Sequence, residues 1–153
     1  SQYRNVKINN LDYEKNLILE FEGKADTLPL KLKDIGTNIY TFKHDYNLSK
    51  IEMITSSYLT EPHSIILRIN GEDYFSIKWF GPNVESYIEK QQGSEKERYI
   101  FENVSYTSVR DFPVTSRRYK FFKGNELSLV IGVVNYPTAD ADIDVTVKLY
   151  FKS

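Results

Sequence analysis

The sequence predicts an all-β fold, a two-sheet antiparallel sandwich carried by 153 residues. Three observations predict it. Apolar and polar residues alternate with a period of two in run after run, as a strand with one buried and one wet face requires. The runs are short and separated by glycine, proline and asparagine clusters, which favours a sandwich or barrel over alternating strand–helix units. The aromatic residues, with 12 Tyr and 9 Phe among them, suit pleated, half-buried positions.

The elements follow in order. Leu17, Leu19 and Phe21 alternate with Ile18, Glu20 and Glu22. Leu28, Leu30 and Leu32 alternate with Pro29, Lys31 and Lys33. Ile65, Leu67 and Ile69 form one face, and Phe75, Ile77 and Trp79 another, with Ser76 and Lys78 between them. Asn70-Gly71-Glu72-Asp73 joins those two runs and reads as a tight hairpin with Asn-Gly at its centre. Gly23, Gly36, Gly81-Pro82-Asn83, Gly124-Asn125 and Pro137 punctuate the rest. Residues Val84 to Gln92 differ, with Val84, Tyr87, Ile88 and Gln91 at helical spacing, Asn83 as an N-cap and Gly93 as a stop. A short helix in a mid-chain insertion is expected there. The last run is the clearest: Val145, Val147, Leu149 and Phe151 face one way, Asp144, Thr146, Lys148 and Tyr150 the other. Turn spacing gives roughly nine or ten strands. No repeat, low-complexity segment or linker divides the chain, so residues 1–153 are expected to form one domain.

Composition excludes several function classes. A net charge of −1 gives no bulk attraction to nucleic acid or to an anionic membrane. The absence of cysteine removes disulfides, thiolate metal sites and thiol catalysis. The longest apolar stretch, Leu129 to Val134, is strand-sized, far below the roughly 18 residues that span a bilayer. The N-terminal Ser-Gln-Tyr-Arg-Asn carries no signal-peptide h-region. Two sequons, at Asn47 and Asn103, matter only in a glycosylating compartment.

Candidate sites are few. His44 and His63 lie in separate turn-like segments and read as surface loop histidines. Asp140, Asp142 and Asp144 alternate, which in an extended chain places three carboxylates on one face, where Ca²⁺ would relieve their repulsion. The run fails as an EF-hand, with Val145 at the sixth position and Phe151 at the twelfth. A solvated strand start whose charges discourage edge aggregation is the simpler account. In Arg110 to Lys123, Arg117, Arg118 and Lys120 are interleaved with aromatics, a pattern that can grip a nucleic acid, an acidic glycan or a neighbouring subunit. Ordinary amphipathic strand patterning produces the same mixture. Phe80 and Tyr136, beside turns, are the candidate rings for a sugar platform, whereas Trp79 shares the face of Phe75 and Ile77 and belongs to the core. No GxSxG, Walker A, GxGxxG or SxxK pattern occurs. Paired carboxylates for glycoside hydrolysis would have to come from distant strands.

The many strands of this cysteine-free chain, the mid-chain helical insertion and the long closing strand Ile143 to Phe151 together resemble a single jelly roll of the viral capsid and spike type. The resemblance covers nearly all 153 residues as a pattern and carries over no functional residue. It implies a non-catalytic assembly subunit of a virion or an extracellular structure, acting through self-association or contact with other structural subunits. A carbohydrate-binding sandwich module, assisted by Ca²⁺ at the acidic run, is the second reading. A glycoside hydrolase on the same scaffold is the third.

Overall fold

A computed structural model describes residues 15–25, 29–61, 63–79, 87–90, 96–97, 101–112, 119–133 and 140–153. All regular structure among them is extended. The strands are β1 (Asn16–Lys24), β2 (Lys31–Leu32), β3 (Tyr40–Thr41), β4 (Tyr46–Thr55), β5 (His63–Ile69), β6 (Glu72–Trp79), β7 (Tyr87–Lys90), β8 (Lys96–Glu97), β9 (Glu102–Val104), β10 (Thr107–Asp111), β11 (Lys120–Phe121), β12 (Glu126–Val133) and β13 (Asp144–Lys152).

They form two antiparallel sheets. The first runs β2-β1-β13-β4-β10-β9, with β11 also paired to β4; the second runs β3-β12-β5-β6-β7-β8. Four of the pairs are nested in sequence: β1 with β13, β3 with β12, β4 with β10, and β5 with β6. First pairs with last, and the pairing closes inward to a single hairpin. The β13·β4 and β12·β5 pairs then join alternate rungs of this nest, the first to the third and the second to the fourth, into the two sheets.

The period-two pattern places the core. Leu17, Leu19 and Phe21 of β1 face Val147, Leu149 and Phe151 of β13 in register, and all six are buried. Ile65, Leu67, Phe75, Ile77 and Trp79 line the second sheet from within. Between the sheets Phe121 packs on Phe42, Phe151 and Tyr74 with ring centroids 5.2–5.4 Å apart, a mix of stacked and edge-on rings of the kind aromatic quadrupoles favour.

Two irregularities follow from the sequence. Leu48 and Ile51 are three residues apart, so a regular strand would put them on opposite faces. A bulge opposite Tyr150 and Phe151 absorbs the extra residue, and both side chains are buried. At the β5–β6 turn, Asn70 and Gly71 have φ of 53° and 81°. Positive φ at both central residues is what a type I′ hairpin turn requires, and Asn-Gly supplies it at low steric cost. Arg68 and Asp73 close the hairpin with a 2.8 Å ion pair.

The helix expected over Val84 to Gln92 is not found where that segment is described. Tyr87–Lys90 is strand β7, paired with Phe75–Lys78 of β6. Ile88 sits opposite Ile77 and is buried, so pairing along an open sheet edge overrides the local helical spacing. The remainder of the segment lies outside the described residues.

Candidate interaction surfaces

One end of the sandwich carries a buried carboxylate that organises a loop. Asp140 is buried just before β13. Its Oδ1 accepts the Thr60 hydroxyl at 2.7 Å and the Thr60 N–H at 3.0 Å, and its Oδ2 accepts the N–H groups of Thr60 and Glu61, each at 3.0 Å. Hydrogen bonds of this charge-assisted kind satisfy a carboxyl group inside the fold. A second tie joins the same segments, since Asp144 N–H donates to Ser56 Oγ at 2.9 Å and Ser56 N–H to the Asp144 carbonyl at 3.0 Å. Residues 56–61 are therefore held at both ends.

That loop presents Tyr58 to solvent. Its ring lies 4.6 Å from the ring of Tyr106, centroid to centroid. Tyr106 sits in the β9–β10 turn, where Ser105 has φ of 55° and the Tyr106 carbonyl accepts the Thr55 N–H at 3.0 Å. Val104, the last residue of β9, is two residues before Tyr106 and pairs across the turn with Thr107. Tyr58, Tyr106 and Val104 are 50%, 39% and 75% exposed, so a tyrosine pair and a valine of the same turn face outward on a fixed backbone.

The outer face of the first sheet holds a second surface. One row across it is an ionic ladder: Lys33 pairs with Glu20 at 3.0 Å, and Lys148 bridges Glu20 at 3.4 Å and Glu52 at 3.9 Å. The hydrogen bond from Lys33 holds the Glu20 carboxyl below the usual glutamate range, against the opposing effect of desolvation. The same contact raises the Lys33 ammonium. The next row contains Ile18, Tyr150, Lys50 and Asp111 in direct cross-strand register. Ile18 is 59% exposed, and the Lys50 ammonium stands 4.4 Å over the Tyr150 ring. A groove of 780 Å³ opens along this row, lined also by Lys152, Glu102, Val109 and Phe112.

The residues singled out in the sequence fall as follows. The acidic run does not converge: Asp140 turns inward to Thr60 and Glu61, while Asp144 pairs with Lys24 at 2.6 Å. That contact raises the Lys24 ammonium. Among the described residues no three His, Cys, Asp or Glu side chains group as metal ligands. Lys120 lies on β11 with its ammonium 5.3 Å over the exposed Phe122 ring, while Tyr119 and Phe121 are buried on the opposite side. Arg117, Arg118, Phe80 and Tyr136 lie outside the described residues. Trp79 is in the core, its indole N–H reaching Ser108 Oγ at 3.3 Å.

His63 corrects an expectation. It is not a surface loop residue but the first residue of β5, buried on the face of Ile65 and Leu67. Period two extends that face back by one step, and this was the available signal. Its Nδ1 lies 2.7 Å from the Glu61 carbonyl. His44 is half-buried, its ring edge-on to Tyr46.

Sequence reasoning missed Tyr58, Val104, Tyr106 and the Ile18 groove. Tyr58 and Tyr106 lie in turns with no periodicity, and the groove is assembled from strands far apart in the chain.

No family model matches the sequence, and no curated protein matches it. Among solved structures, the chain is similar to one in the acidic stable capsid structure of Helicobacter pylori bacteriophage KHP30. The TM-score is 0.46 and the identity 8%, over 92% of this chain and 90% of that one.

Proposed function

We propose that this chain is a non-catalytic structural subunit of a virion, a single jelly roll that assembles through protein–protein contacts. The observation that carries this reading is the outward-facing Tyr58–Tyr106 pair, with exposed Val104 in the same turn. Tyrosines with low conformational freedom, fixed on a rigid backbone, are what protein interfaces use as anchors. The ties from Asp140 and Asp144 mean that little ordering entropy is lost when a partner docks.

The strand order supports the jelly-roll reading. Take the eight strands β1, β3, β4, β5, β6, β10, β12 and β13. Their nested pairs describe one long ribbon, and wrapping it upon itself yields the two sheets β1-β13-β4-β10 and β3-β12-β5-β6. Such a closed wrap leaves loops at its ends and broad sheet faces outside, the surfaces through which a subunit meets its neighbours.

The test is Val104→Asp. A charge placed at an interface centre is expected to raise the concentration needed for self-association by at least about tenfold, while unfolding stability stays within about 0.5 kcal/mol. Sedimentation velocity over a concentration series reads the first quantity and urea unfolding the second. Association of Val104→Asp indistinguishable from that of the parent chain would contradict the role of this surface.

A further inference from the structure

We infer that the outer face of the first sheet is a second assembly contact, made with another copy of this chain about a two-fold axis; this rests on the assembly reading above. The inference comes from how charge is distributed along the groove. Strand order across the face is β1-β13-β4-β10-β9. Lys152 lies on β13, toward one side. Asp111 and Glu102 lie on β10 and β9, at the other. Lys50 stands between them on β4, over the Tyr150 ring of β13.

The groove lining thus carries Lys152 at one side and Glu102 and Asp111, with Arg110 beside them on β10, at the other, so one side is net basic and the other net acidic by one charge, with apolar surface from Ile18, Tyr150 and Val109 along its length. A two-fold axis lying in the plane of the contact and crossing β4 obliquely exchanges the two sides. Lys152 of each copy then faces Glu102 and Asp111 of the other, and Ile18 of each enters the part of the groove walled by Val109 and Phe112 of the other. An isologous contact demands self-complementarity of this kind. A single-signed face would repel its own copy.

The adjacent ladder of Lys33, Glu20, Lys148 and Glu52 directs the contact to this row. Its charges are matched within the chain. The row beside it exposes Ile18 next to the Tyr150 ring, and Val109 continues this apolar strip along the groove. With two distinct contacts, the sheet face and the Tyr58–Tyr106–Val104 end, a subunit can build beyond a closed pair.

The experiment uses the Val104→Asp chain, in which the end contact is removed, and follows it by sedimentation equilibrium. A dimer is expected to remain. Adding Ile18→Asp is expected to reduce it to monomer. Lys152→Glu or Glu102→Lys alone is expected to weaken the dimer at least about tenfold, because each creates two symmetry-related like-charge pairs, and the two changes together are expected to restore it. All four side chains are exposed, so circular dichroism should show each variant folded like the parent. If the parent associates while Val104→Asp alone is already monomeric, the sheet-face contact is overturned and the assembly reading stands. If Ile18→Asp leaves a dimer intact, or the paired charge swap fails to restore one, the sheet-face contact is overturned as well. If the parent is monomeric at every concentration, both are overturned.

Discussion

Tyr58 and Tyr106 reach solvent from loops, whereas Ile18 and Tyr150 do so from the middle of paired strands. The two surfaces depend on different forces. The loop surface rests on one buried carboxylate, with Asp140 holding Thr60 and Glu61. The sheet surface rests on the β1·β13·β4 ladder, whose hydrogen bonds would survive any single side-chain change. A contact site can therefore be fixed by one polar residue or by a whole sheet, and the two should fail differently.

Asp140→Ala gives the largest expected effect. It removes the acceptor of the Thr60 and Glu61 N–H groups in a part-buried loop, at about 1–3 kcal/mol for each group that water cannot reach. Urea unfolding should show a loss of about 2–4 kcal/mol on the same basis. Association through the Tyr58 end should weaken with it, and association through Ile18 should not. Equal damage to both would mean that the two surfaces are not independent.

Lys148→Met is expected to do much less. The ladder it leaves is half-exposed, and such pairs contribute about 0–1 kcal/mol. Unfolding should shift by no more than that, and both contacts should persist. A loss above about 2 kcal/mol would show that the outer face is organised by its charges rather than by strand pairing.

The smallest effect is on pH dependence. The folded-state pKa of Glu20 lies below the usual glutamate range because Lys33 donates to it. Its contribution to stability is therefore complete above that range and is lost as the pH falls through the lowered folded value. Carbon-detected NMR titration should place the Glu20 midpoint below that of a free glutamate side chain, and Lys33→Met should return it upward. An unmoved midpoint in Lys33→Met would assign the shift to another cause.

Much of the fold was legible because sandwich strands write their faces directly into the sequence. Val145, Val147, Leu149 and Phe151 are buried as their alternation requires, and Asn70-Gly71 makes the turn its residue types favour. The misread segment is instructive. Tyr87 and Ile88 stand at helical spacing with Val84 and Gln91 in sequence, but the edge of β6 lies beside them in space and takes them as a strand. Local spacing holds no information about that edge. His63 was misread for a related reason, since a polar residue at the first inward position of a strand looks like the last residue of a loop.

The surfaces were hardly legible at all. Ile18, Tyr150, Lys50 and Asp111 form one row only because β1, β13, β4 and β10 lie side by side. Ile18 was visible only as the wet-face partner of Leu17 and Leu19. Nothing in the sequence distinguishes an outward isoleucine in contact with water from one awaiting a second chain. Asp140 stood out as a charge in a run of charges, but the run separates in space: the first carboxylate is buried by its loop and the last is bound by Lys24.

Static light scattering of the unmodified chain over a wide concentration range tests the central claim most directly. The weight-average mass is expected to climb with concentration from the 17.9 kDa of one chain, through twice that value, to larger species. A mass fixed at 17.9 kDa throughout the range would contradict it.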